Sequence, residues 1–148
     1  MMIQLVAGMI SCVGFAYLFN CPSRAIFQSA LAGGLGWIMY DYCVYSLHYT
    51  EAVATLMGTL VLSIICEALA RIKKDAVSVF VIPAILPLVP GAGLYYTLLY
   101  LLEGNLEMAV NKGVTTLGCA LGIAVGIIVV SSFSRMIFGF HRHSGRTK

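Results

Sequence analysis

The sequence predicts an all-α integral membrane protein. It has about five transmembrane helices, the fourth broken by prolines, with the N-terminus outside and the C-terminus cytoplasmic. Three observations carry that prediction. First, 60% of the 148 residues are hydrophobic and only 10% are charged, with a mean hydropathy of +0.94. That is too little charge to coat a soluble domain of this length. Second, the apolar residues fall into five runs, each near the ~20 residues a helix needs to cross ~30 Å of hydrocarbon. Third, Lys and Arg collect at alternate ends of those runs, which orients a membrane bundle. A single transmembrane domain over 1–148 is the simplest organisation.

The first run spans about 2–19. It lacks the basic start and the A-x-A site of a cleaved signal peptide, so it reads as a retained span. The second, about 25–46, carries Ser29, Ala30, Gly33, Gly34 and Gly36, a small-residue face for close helix packing. The third spans about 52–70 and the fourth about 77–102. The fifth, about 110–133, places Gly118, Gly122 and Gly126 four apart on one stripe, a doubled GxxxG. That stripe reads as a packing seam, inside the chain or between chains, with a pore-lining face as the alternative. A basic tail, 134–148, follows. With the N-terminus outside, Arg24, Arg71, Lys73, Lys74, Arg135, Arg142, Arg146 and Lys148 all face the cytoplasm, and Lys112 alone lies outside.

The fourth run contains "FVIPAILPLVPGAGLYY", residues 80–96. Proline has no N–H to donate and disrupts the bond to the carbonyl four residues back. Pro83, Pro87 and Pro90 therefore leave the carbonyls near Val79, Pro83 and Leu86 without their usual partners. Broken backbone at membrane depth survives only against protein or a watery cavity. The chain is expected to break around "LVPGAG" and to restart as a half-helix near Pro90 or Gly91, since proline suits a first helical position. Gly91, Ala92 and Gly93 leave the first N–H groups bare, a place for an anion at the positive end of the helix dipole. Discontinuous helices hold substrates this way in secondary transporters. Pro87, Pro90, Gly91, Ala92, Gly93, Tyr95 and Tyr96 form the candidate substrate-binding set. A proline kink with no ligand is the plainer alternative.

Two acids fall within apolar runs, where ionisable groups are costly. Asp41 lies between Tyr40 and Tyr42 and reads either as an interfacial residue or as a proton or substrate contact. Glu67 stands four residues before Arg71, which gives either a helical ion pair or a proton-carrying carboxylate. Asn20 either caps a helix or faces a cavity. The five cysteines show no CxxC spacing and read as small buried hydrophobes. No metal site, cofactor or nucleic-acid partner is expected, and the chain contains no P-loop, GxGxxG or GxSxG. An intramembrane enzyme would need a nucleophile–base pair or paired carboxylates in a span, and none is evident.

Two elements together resemble a known family. Phe19, Asn20, Pro22 and Arg24 form a Phe-Asn-x-Pro-x-Arg element after the first span. Pro87, Pro90 and Gly91 form a Pro-x-x-Pro-Gly element in a later one. With the length and hydrophobic layout, they resemble the small membrane subunit of the threonine/serine exporter (ThrE) family. The resemblance implies a multi-pass protein of the bacterial inner membrane that exports small hydrophilic metabolites, such as threonine, serine or a dicarboxylate like succinate. It also implies a larger partner subunit, because longer relatives carry a second half that this sequence lacks. Coupling to the proton gradient is expected, with Asp41 and Glu67 as the candidate relay. A homo-oligomer remains open. The competing reading is a structural subunit that stabilises the partner without touching substrate.

Overall fold

Helix ends and helix packing divide the chain in the computed structural model, which describes residues 2–143 and the side-chain surroundings of residues 5–137. The elements are α1 (Met2–Leu18), α2 (Ser23–Tyr45), α3 (Glu51–Lys73), α4 (Val77–Ile85), a 3₁₀ turn (Leu86–Leu88), α5 (Gly91–Leu102) and α6 (Leu106–His143). There is no strand among the described residues.

Backbone chemistry stops four of these helices. Asn20, His48, Lys74 and Gly104 all hold positive φ. At the end of α1, the Cys21 N–H reaches the Ala16 carbonyl (2.9 Å) and the Asn20 N–H reaches Tyr17 (3.0 Å). That pair of bonds is a Schellman cap, which occupies carbonyls the helix leaves orphaned. The same pattern closes α3 through Lys74 and Asp75, and α5 through Gly104 and Asn105. Asn105 then opens α6, its side-chain oxygen accepting the Met108 N–H at 3.2 Å.

The helices approach closely because their facing residues are small. Fully buried positions are mostly Ala, Cys, Ser and Thr, with Leu62 and Phe80 the largest. Large hydrophobic residues such as Ile10, Phe27, Ile64, Leu98, Val114 and Leu121 point outward. Lipid is as apolar as leucine, so helices in a membrane gain from close backbone contact rather than from burying leucine. A Cβ on Gly58 would lie 2.7 Å from the Gly36 carbonyl, and one on Gly36 would lie 3.0 Å from the Gly58 carbonyl. At that crossing α2 and α3 meet backbone to backbone. On its other side α3 packs along α6, while α4 lies on α2 and α3.

By length and composition α3 and the Leu106–Ile137 part of α6 are long and apolar enough to cross a membrane, and the bent pair Val77–Leu88 with Gly91–Leu102 makes a third candidate. The apolar part of α1 is shorter, Leu5–Leu18. Helix α2 is long but diluted by glycine, Arg24, Gln28 and Asp41. The last helix also differs from expectation. It does not end near 133 but runs through the basic segment to His143; the rest of the expected tail, 144–148, lies outside the described residues. Backbone hydrogen bonds, not apolar content, set that length, and α6 is ~57 Å long at ~1.5 Å per residue.

Candidate functional site

The break in the fourth run is built by its prolines. Pro83 sits inside α4, and Pro87 lies in the 3₁₀ turn. Val89 is extended and Pro90 precedes α5, which starts at Gly91. The two half-helices meet at a bend of 47°. Local bonds satisfy part of the broken ladder. The Leu86 carbonyl, expected to lack a partner, accepts the Val89 N–H at 3.2 Å. The Ala84 carbonyl accepts the Cys12 thiol of α1 at 3.9 Å. One flank of the break is thus sealed by protein, with Leu88 buried against the Gly58 crossing.

The other flank is open. No α5 residue is buried, and a Cβ on Gly91 would meet nothing within 4 Å. The Gly91 N–H is already taken by the Val89 carbonyl at 2.8 Å, so the bare donors of the first turn are those of Ala92 and Gly93. Gly93 has a packing duty that the sequence reading did not assign. It lies against Thr116 of α6, and a Cβ on Gly113 of α6 would lie 3.3 Å from Thr97. Tyr95 and Tyr96 are exposed and stand edge to face, with Tyr96 stacked on Tyr100. Pro87 lines a separate cavity of about 270 Å³ with Ala7, Gly8, Ser11 and Trp37.

The family-motif residues form the turn between α1 and α2. Asn20 supplies the left-handed cap, and Pro22 precedes α2, its carbonyl accepting the Ala25 N–H at 2.7 Å. Arg24 pairs with Asp75 at 3.0 Å. This ties the α1–α2 turn to the α3–α4 turn. Asp75 was not singled out from the sequence. A cavity of about 290 Å³ lies between Asn20–Pro22 and Ser78–Val79 of α4.

The two acids sit in different places. Asp41 is buried, although Tyr42 beside it is exposed. Glu67 belongs to a three-residue network between α3 and α6. Its Oε2 accepts the Ser134 hydroxyl at 2.6 Å and lies 3.4 Å from Arg71. Arg71 donates to the Ser134 carbonyl at 3.2 Å and also contacts its hydroxyl. The expected Glu67–Arg71 pair is present, but it is locked to a residue of another helix.

That network ends a longer stripe. Thr55, Thr59, Ser63, Glu67 and Arg71 recur every four residues along α3, a polar line in an apolar helix. Opposite runs Gly118, Gly122, Gly126, Val130 and Ser134 of α6. Positions for a Cβ on Gly118, Gly122 and Gly126 fall 3.2, 2.8 and 2.8 Å from Ala52, Ala52 and Thr59. The glycine seam therefore packs within the chain, on α3. Its spacing was legible in the sequence. The matching polar spacing on α3 was equally legible, yet only its Glu67–Arg71 step stood out.

The break and Glu67 are not one site. Gly58 packs on Leu88, and Glu67 lies ~14 Å further along α3 at ~1.5 Å per residue. Among the described residues no cluster of His, Cys, Asp and Glu suits a metal ion.

No solved structure matches the chain. A family model described as threonine/serine exporter, ThrE, matches residues 4–133, from α1 into the last third of α6, including the Asn20–Arg24 turn, the proline break and the α3–α6 seam. This is a membrane protein of a transporter family, and the chain belongs to the threonine/serine exporters, ThrE.

Proposed function

We propose that this chain is one subunit of a secondary transporter that exports a small hydrophilic metabolite, threonine, serine or a dicarboxylate such as succinate, together with a larger partner subunit. The observation that carries the reading is the open flank of the broken span. Backbone interrupted at membrane depth must meet protein or water, and Gly91 and Ala92 are exposed, with nothing of this chain within 4 Å of a Cβ built on Gly91. A water-filled path with the partner on its far side satisfies both needs. The substrate's carboxylate would face the first turn of α5, where the Ala92 and Gly93 N–H groups are bare and the helix dipole favours negative charge.

In this reading the chain spans a bacterial inner membrane five times with the N-terminus outside. The Arg24–Asp75 pair and the Arg71–Ser134 bonds hold the α1–α2 turn, the α3–α4 turn and the C-terminal part of α6 at one end of the bundle, and that basic end would be cytoplasmic. Coupling to the proton gradient would use the buried carboxylate of Asp41 or that of Glu67. The alternative is an assembly subunit whose uncovered α5 docks the partner and never meets substrate.

Efflux from cells loaded with a threonine- or serine-containing dipeptide, with succinate followed in parallel, separates the two. Strains would carry this chain, the partner, or both. Space is open at Gly91, so Gly91→Leu is expected to insert normally and to lose efflux. Full efflux by that variant, or by the partner alone, would point to the assembly role.

A further inference from the structure

A cavity of about 220 Å³ lies between α3, α4 and α6, against the polar stripe. Ser63 and Glu67 of α3, Ser78 of α4 and Ser131 of α6 line it, with Val81 and Ile127 among the aliphatic walls. Ser63 is only 2% exposed, and its hydroxyl has no hydrogen-bond partner. A buried hydroxyl without a partner carries a desolvation cost that natural structures rarely leave uncompensated. Here it lines a space with room for several waters, at about 30 Å³ each, or for a small solute in their place.

The charge of the lining selects the solute. Its ionisable group is the Glu67 carboxylate, whose side chain is 13% exposed. Ser134 and Arg71 reach Glu67 through Oε2; neither lines this cavity, and both line, with Glu67, a different, apolar cleft. Three hydroxyls and one carboxylate in an apolar wall can replace the hydration of an ammonium group. They offer no cation to a carboxylate. Ser63 and Glu67 stand ~15 and ~9 Å along α3 from Lys73 at ~1.5 Å per residue, inside the candidate span Glu51–Lys73.

We infer that the Ser63–Glu67–Ser131 cavity is a subsite for the ammonium group of a small amino acid, an entry station on the basic side of the proline break. The inference rests on the transport reading and deepens it by giving the solute's ammonium group a place of its own. One small amino acid cannot bridge Glu67 and the α5 turn, so the two are successive positions on one path. The solute first gives its ammonium to Glu67 and the serine hydroxyls. It later presents its carboxylate at the start of α5.

The test is equilibrium binding to the full chain in lipid nanodiscs. The probes are L-serine, L-threonine and glycerate, a hydroxy acid that lacks the ammonium. Wild type is expected to bind serine and threonine more tightly than glycerate. Ser63→Ala removes a hydroxyl that holds nothing in the protein, so its melting temperature should not fall. Its affinity for serine should drop about tenfold, the loss of one hydrogen bond to a charged group. Glu67→Gln keeps an acceptor for Ser134 and should lose serine binding by more, while glycerate binding stays unchanged in both variants. Equal serine affinity in all three proteins, glycerate bound as tightly as serine, or no serine binding by wild type would each overturn the subsite. If binding follows the expected pattern while cells with both subunits export nothing, the transport reading fails and the subsite stands.

Discussion

Three side chains adopt a backbone conformation that usually selects glycine. Asn20, His48 and Lys74 hold φ of 52°, 53° and 57°. Asparagine tolerates this region and lysine gains nothing from it. Lys74→Gly should therefore stabilise the chain by about 1 kcal/mol, and Asn20→Gly should be close to neutral. Asn20→Ala should cost about 1 kcal/mol; thermal melts in one detergent would rank the three. Glycine acts oppositely at the α2–α3 crossing. Gly58→Val must displace the Gly36 backbone as well as the Leu88 side chain, and overpacking of that kind costs about 1–3 kcal/mol. A large loss of monodisperse protein on size exclusion is expected, while Gly91→Ala, placed in open space, should elute as wild type. A Gly58→Val protein with an unchanged elution profile and melt would mean that the crossing is looser than described.

Among the elements, the proline break was the most legible from sequence, and the reason is local. Proline removes a donor wherever it sits, so three prolines followed by glycine interrupt a helix whatever surrounds them. The α6 terminus was not legible. Arg135 ends the apolar run, but no proline or glycine stops the backbone between Gly126 and Ile137, so the helix continues. The α3 stripe failed to register for another reason. Thr, Ser and Glu are each tolerable singly in an apolar helix, and their spacing gains meaning only opposite the α6 stripe. Glu67 and Arg71 could be paired from their separation, but Ser134 lies 67 residues from Glu67 and joins them through tertiary packing. The packing of Gly93 was not legible for the same cause: its neighbour Thr116 is known only once α5 lies on α6.

At the scale of the whole molecule, the two ends of the bundle differ in charge, and orientation can be read chemically. Cys12, Cys43, Cys66 and Cys119 are buried, whereas Cys21 is partly exposed in the turn tied to Asp75. A membrane-impermeant maleimide added to inverted membrane vesicles should label Cys21, and Cys21→Ser should abolish that labelling. Labelling from the periplasmic face of spheroplasts instead would reverse the proposed orientation. The α5 segment has a different consequence. It buries none of its residues and rests chiefly on α6, so it contributes little to the cooperative unfolding of the rest. Its amides should exchange with deuterium through a low-energy local opening, well before those of α2 and α3. Such a gradient would make α5 a separate foldon, one whose protection should rise if a second protein covers it. The chain would then keep its least stable element where the transport path needs motion.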